Sequence, residues 1–518
     1  MKKLASALLL SFFALSAFSA ERYQISDVNY QITGMTRRYA LEKAVDIDKD
    51  RIFESFEEFH EYIENLRQQF QNERNLASAI LNVSYDPVID EKGITHTTLN
   101  VMTQDSKHLL VLPYPKYNSN DGFKLKLKAK DTNFLGTLEP LNFDLNFAIE
   151  QEDESDDPDF VFGINFDYDY PFQLWKLDSS WNNSFSLDYT IGKDKPEFGW
   201  TTGFTFSLPF KTYALKFDLS QSVTRDFDYT EFDDELYYTE LFKLSLPITI
   251  ADLGSYGNVK WSPEVAYTWN WDKNGINKTN EDLSGPKLTV GQTITAGRIN
   301  WHGNFRQGID MSFTESVGYN YQLKHYVGTI DGTIEAFKAF SWAGINSRFR
   351  GFTNLNETTK IGDSLRGIRD DQTYKGTDIK ALRTKAAIIG SIDIPIKVIR
   401  TNWIGWSDSL FGEDSWFTNH IRWMRYFDFE MHFSPFVDFA LTNNVITGKT
   451  FAIKDGWYAG GFEFLVYPAK WRSLVVRASA GVDVGRKVVK KVVSKLIDSS
   501  WRRNCSAYEI YIGIGYQY

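Results

Sequence analysis

The run GDSLRGIRDDQTYKG, Gly362 to Gly376, gathers residue types from which catalysis or ion pairing could be built. Its first four residues imitate the Gly-Asp-Ser-Leu motif of esterases, with Ser364 as the would-be nucleophile. A serine needs a base within hydrogen-bond reach and donors for the oxyanion. The companion pattern, Asp-x-x-His, occurs only upstream, at Asp105 to His108, and no Gly-x-Ser-x-Gly elbow is present. The seven histidines are scattered without metal-ligand spacing, and Cys505 is the only cysteine. The acidic run EQEDESDDPD, from Glu150, offers oxygen ligands but lacks the spacing of an EF-hand loop. The expectation is a protein that is not an enzyme and holds no cofactor or metal. A charged, glycine-punctuated loop around Arg366 remains to be explained.

The elements that position this loop begin with an export signature. MKKLASALLLSFFALSAFSA has Lys2 and Lys3 before a short apolar stretch and ends in small residues, which reads as a signal peptide over residues 1–20. No later window supplies about 18 apolar residues for a helical membrane span. Yet aromatic residues make up 16% of a chain whose mean hydropathy is only -0.35. A lone cysteine makes no internal disulfide. A net charge of -10 argues against a nucleic-acid partner.

Residues 22–105 read as a small α+β unit of order strand, helix, helix, strand, strand. In SFEEFHEYIENLRQQFQN, Phe56, Phe59, Ile63, Leu66 and Phe70 recur at helical spacing, and Ser55 with Glu58 makes a capping box. Beyond Asp105 the period becomes two. PLNFDLNFAIE sets Leu141, Phe143, Leu145, Phe147 and Ile149 against Asn142, Asp144, Asn146 and Glu150. YEIYIGIGYQY, at the C-terminus, alternates likewise. Alternating segments of about ten residues with aromatic ends describe a transmembrane β-barrel, whose closure leaves no open edge in hydrocarbon. Residues 106–518 are therefore expected to form a barrel of about sixteen antiparallel strands, counted from Gly122, in a bacterial outer membrane.

This order of parts resembles the outer-membrane assembly and secretion superfamily of BamA, TamA and the two-partner secretion transporters. Residues 22–105 resemble its periplasmic POTRA domain, present here as a divergent single copy. In that family the sixth extracellular loop folds into the lumen and carries Val/Ile-Arg-Gly-Phe/Tyr. Leu365-Arg366-Gly367-Ile368 resembles that motif, with Ile368 in place of the aromatic. The loop then spans about residues 354–380 and leaves five strands to follow, as the family architecture requires. DTNFLGT, from Asp131, and FVDFA, from Phe436, resemble further family patterns, the latter with Ala440 replacing glycine.

A loop tucked into a wet lumen needs an anchor. Arginine stays charged and presents a planar fork of donors that a carboxylate accepts in pairs. Gly367 allows the backbone to turn closely beside it. Asp438 is the expected partner, since Phe436, Asp438 and Ala440 share the phase opposite the lipid-facing Val437, Phe439 and Leu441. A competing anchor is Arg350, in FRGF, at the end of the preceding strand. The seam between first and last strands is expected near GFKLKLKAK and YEIYIGIGYQY, loosened by Gly513 and Gly515 and ending at Tyr518. The acidic run from Glu150 is placed in a periplasmic turn. RKVVKKVVSKL is placed in the extracellular loop before the last strand.

The resemblance implies insertion of outer-membrane proteins by seam opening and strand addition. The alternatives are export of a polypeptide or lipid and a passive porin-like or structural barrel. The implied partners are unfolded outer-membrane clients or a secreted polypeptide, the lipid bilayer, and periplasmic chaperones or lipoproteins.

Overall fold

The computed structural model describes residues 22–118, 122–150, 159–210, 212–227, 235–275, 283–368, 372–413, 415–485, 496–502 and 508–515. The expected signal peptide, the interior of the acidic run, most of RKVVKKVVSKL, Cys505 and Tyr518 lie outside these residues. The chain divides into two compact units. One ends at Ser106 and includes Leu135–Leu138, and the other takes the rest.

The first unit runs β1 (Arg22–Thr33), α1 (Arg38–Ala44), β2 (Ile52–Phe53), α2 (Phe56–Asn72), β3 (Leu76–Ile89) and β4 (Ile94–Asp105). Its sheet order is β2-β1-β4-β3, with β1 parallel to β4. A bulge between Ile25 and Asp27 brings Ile25 and Val28, three residues apart, onto the same buried face. Helix α2 starts where the Ser55 hydroxyl accepts the Glu58 N–H at 3.1 Å. The Glu58 carboxylate takes the N–H of Glu54 at 3.0 Å, one residue earlier than a regular capping box. Phe59, Ile63, Leu66 and Phe70 fill the core against Leu99 and Val101, whereas Phe56 stays exposed.

The second unit is a closed antiparallel barrel. Its strands begin β5 (Leu109–Asn118), β6 (Gly122–Asp131), β7 (Leu141–Glu150), β8 (Asp159–Leu174), β9 (Leu177–Thr190), β10 (Glu197–Pro209) and β11 (Ala214–Arg225). They continue β12 (Tyr237–Ser245), β13 (Ile248–Asp252), β14 (Asn258–Asp272), β15 (Lys287–His302), β16 (Phe305–Asn320), β17 (His325–Ala339) and β18 (Gly344–Leu355). A long loop then carries a two-residue hairpin, β19 (Thr359–Lys360) with β20 (Arg383–Thr384). The wall resumes with β21 (Ala386–Asp393), β22 (Ile396–Arg400), β23 (Phe429–Asn444), β24 (Lys449–Thr450), β25 (Trp457–Pro468), β26 (Val476–Asp483) and β27 (Tyr508–Ile514). Strands β13 and β22 prolong β12 and β21 past short breaks, and β24 is a two-residue arm. Eighteen strands therefore make the wall.

Sixteen strands counted from Gly122 is thus an undercount, and the barrel begins earlier. LLVLPYPKYN pairs with β6 from Leu109–Asp131 to Asn118–Gly122 and closes the ring against β27. Pro113 and Pro115 disguise this strand, because proline cannot donate to a ladder. The seam accordingly lies between β27 and β5, not β27 and β6. The extra strand also changes sides. β7 ends and β8 begins at the same rim as the loop after β18, so the two ends of the acidic run, Glu150 and Asp159, lie at that rim and not at the opposite one. The loop after β18 is the seventh connection at its rim, not the sixth.

The outer face exposes Val290, Ile294, Ile309, Met311, Phe313, Ile330, Ile334 and Val437, while hydroxyls such as Thr293 and Thr314 pair on the inner face at 3.0 Å. An apolar outer band around a polar interior is the surface of a transmembrane β-barrel. The inner faces of β21, β23, β25 and β26 are buried, because the loop after β18 lies on them.

Candidate functional site: a loop braced inside the barrel

Antiparallel register lines up residues of the last five strands in rows across the lumen wall. One row reads Asp393, Phe436, Gly461, Gly481, Glu509 across β21, β23, β25, β26 and β27. The next reads Ser391, Asp438, Ala459, Asp483. The loop tip lies along these rows.

A turn at Gly362–Ser364 delivers the tip, and Ile361, Leu365 and Ile368 pack on Ala387, Ile389, Ala440 and Trp457. Arg366 then points at the wall. Asp438 Oδ2 accepts both its backbone N–H and its Nε at 2.9 Å, and Oδ1 accepts Nη2 at 2.6 Å. Nη1 donates to Asp393 at 2.7 Å and Nη2 to the Ser391 hydroxyl at 2.9 Å. Ser391 in turn donates to Asp438 at 2.6 Å. The guanidinium lies 3.7 Å over the Phe436 ring. The Arg366 and Asp438 side chains are only 5% and 1% exposed, so neither charge is solvated by bulk water. A bidentate pair whose remaining donors are also satisfied is the arrangement in which burial of such charges is sustained.

Beside it, Gly367 has φ +89°, and a Cβ there would stand 2.5 Å from the Gly481 carbonyl carbon. A Cβ on Gly481 would stand 2.9 Å from the Arg366 carbonyl group. The two backbones touch because neither carries a side chain. The Gly367 N–H donates to Glu509 on β27 at 3.2 Å, so the tip also reaches the last strand. Glu463 completes the charge set, 3.5 Å from Arg366 and 3.4 Å from Arg477, whose guanidinium stacks on Tyr511 at 4.2 Å.

The structure thus brings Leu365, Arg366, Gly367 and Ile368 together with Asp438. Arg350 is placed elsewhere: it pairs with Asp331 on the neighbouring strand β17, and both side chains are part-exposed. Gly513 faces the lumen where the Tyr511 hydroxyl would stand 2.6 Å from a Cβ, so its smallness makes room for that ring. Gly515 has φ +104°, and its N–H donates to Val475 at 2.9 Å. Ser364 is half-buried in the loop turn. Among the described residues no group of three His, Cys, Asp or Glu is placed to hold a metal.

Sequence reasoning missed a second buried arginine. Arg502, in the connection between β26 and β27, donates to both oxygens of Asp483 at 3.1 and 3.2 Å, and both side chains are fully buried. It lies 4.4 Å over Trp457, while Trp501 packs against Tyr374 of the other loop. Asp438 and Asp483 stand in one row, each holding an arginine from a different loop. A signal for this existed. Each of the five strands after the loop carries a carboxylate between apolar neighbours, Asp393, Asp438, Glu463, Asp483 and Glu509, and β23 carries a second, Glu430.

No protein-family model matches the chain, and no curated protein matches it in sequence. Solved structures similar to it include CdiB from Acinetobacter baumannii, at 10% identity and TM-score 0.47, covering 95% of this chain and 74% of that chain. CdiB from Escherichia coli is similar at 7% identity and TM-score 0.48, covering 96% of this chain and 76% of that one. BamA from Haemophilus ducreyi lacking POTRA domains 1-3 is similar at 9% identity and TM-score 0.34, covering 95% and 84%.

Proposed function

We propose that this chain is a single-POTRA member of the BamA, TamA and two-partner secretion superfamily, and that it inserts client β-barrels into the outer membrane. Its N-terminal unit would lie in the periplasm and its braced loop would enter the lumen from outside. One observation carries the reading. Among the described residues the ring is closed by its shortest wall strand, β27 with seven residues, beside β5 with its two prolines. Pro113 and Pro115 share one phase, so β5 lacks two donors toward one neighbour. A short, donor-poor pairing opens at lower cost than the ladders of up to sixteen residues elsewhere. An opened edge accepts an incoming strand by main-chain hydrogen bonding. The outer strand of the small sheet, β3, is fourteen residues long and could hold an extended client segment in the same way. The function then rests on strand pairing and needs no bond chemistry. Unfolded clients and the bilayer are the partners, with periplasmic chaperones or lipoproteins delivering the clients.

Export of a polypeptide is the second reading. It is favoured by a polar inner face away from the loop, where Asn182, Thr205 and Asp218 are only half-buried. Depletion of the protein followed by a quantitative outer-membrane proteome separates the readings. Insertion predicts a broad loss of other barrels. Loss of one secreted protein alone favours export, and an unchanged proteome and secretome favours a passive barrel.

A further inference from the structure

Between β22 and β23, at the rim opposite the braced loop, the chain inserts a compact helical element. Helix α3 (Trp403–Phe411) and helix α4 (Trp416–Ile421) are followed by a 3-10 turn, Arg422–Phe427. The element is well tied down. Asn402 caps α3 by accepting the Gly405 N–H, and Ser415 caps α4 by accepting that of Thr418. Ser407 and Thr418 share a buried hydroxyl–hydroxyl bond of 2.6 Å between the helices. The Thr401 N–H donates to Phe429 at 2.8 Å and the Trp403 N–H to Asp428 at 3.0 Å, which fixes the element to the end of β23.

So fixed, it leaves large apolar side chains uncovered. Leu410 is 75% exposed and Trp416 72%, and Trp406, Phe411, Trp423 and Phe427 are exposed as well. The other side is polar: Asp408, Glu413, Thr418 and Arg422 line a cavity of about 380 Å³. Exposed aromatics tied to such a polar side are unusual for a surface in water.

Two observations say what covers this face. The adjoining strand ends expose Val398 and Ile399, which belong to the outward band of the barrel. Four other turns of the same rim present exposed aromatics, Trp175, Phe210, Tyr256 and Trp342, at the place where the aromatic girdle of a barrel sits at headgroup level. The helical element occupies one sector of that girdle. We propose that the element formed by α3, α4 and the 3-10 turn is an interfacial membrane anchor, with its apolar side chains embedded in the bilayer leaflet at this rim. Its partner is lipid, and continuity with the lipid-facing wall is what assigns it. Amphipathic helices with aromatic faces insert in this way to the headgroup–acyl boundary.

The test uses the full-length protein in nanodiscs of phosphatidylethanolamine and phosphatidylglycerol, in a Cys505→Ser background. A nitroxide is attached at Leu410→Cys, with Trp416→Cys as an independent second site. Val437→Cys reports the lipid-facing wall and Asp50→Cys reports water. Collision with oxygen exceeding collision with a water-soluble nickel chelate at Leu410 and Trp416, as at Val437, is the expected result. Nickel accessibility like that of Asp50 would overturn the anchor. Protection from both reagents would overturn it too, since that would mean a protein contact.

Discussion

At the residue scale the account rests on Arg366. Its guanidinium and backbone N–H make three hydrogen bonds to Asp438 alone, and Asp393 and Ser391 take the remaining reach of the fork. Removing it leaves Asp438, Asp393 and Glu463 buried, with Arg477 still beside Glu463 at 3.4 Å. Breaking such a pair from one side costs roughly 3–5 kcal/mol. Arg366→Ala should therefore lower the heat-unfolding temperature of the barrel and free the loop to proteases. Arg366→Lys should rescue poorly, since an ammonium cannot span both oxygens of Asp438 and reach Asp393 as well. Asp438→Ala in the Arg366→Ala background should cost less than it does alone, giving a coupling on the order of 1–3 kcal/mol. A coupling of zero, read as barrel unfolding, would contradict the contact. A steric test is independent of charge. Gly481→Val places a side chain against the Arg366 and Gly367 backbone, so the loop should leave the wall while the carboxylates stay. Unchanged proteolysis of the loop in Gly481→Val would contradict the close backbone approach.

At the element scale two loops are held by two arginines on one row of the wall. Arg502→Ala should expose Asp483 and loosen Trp501 from Tyr374, so hydrogen exchange should rise in both loops and not only in the mutated one. Exchange confined to the mutated connection would mean that the loops are not mechanically joined. The Arg366 brace was legible because Arg-Gly in a charged loop and an inward-phased Asp438 each stand out of their surroundings. The Arg502 brace was not, because Arg502 follows a basic segment and reads as one more solvated charge. Only the repeated carboxylate between apolar neighbours, strand after strand, betrays what the wall is built to hold. The helical element after β22 was also missed. WIGWSDSLF carries too few polar residues to read as a surface helix and is too short to span a membrane.

At the scale of the whole molecule, alternation and aromatic ends gave the barrel, and helical spacing gave the core of α2. The count of strands fell short by two: one of the seventeen from Gly122 onward went uncounted, and Pro113 and Pro115 made β5 read as a linker. Strand β5 relocates the seam and puts the ends of the acidic run, Glu150 and Asp159, on the other rim. It also gives the seam its physical character, a seven-residue strand against a strand short of donors. The proposed insertion of clients would require this seam to part. Since β27 runs antiparallel to β5, the end of one faces the start of the other, and both expose outward side chains there: Ile512 on β27, Leu109 and Val111 on β5. The direct measurement pairs Ile512→Cys with Leu109→Cys or Val111→Cys in a Cys505→Ser background, keeps whichever pair forms a disulfide, and follows client insertion by the reconstituted protein. The account predicts that insertion stops when the seam is oxidised and returns on adding reductant to the same sample. Insertion at an unchanged rate through a fully locked seam would contradict it.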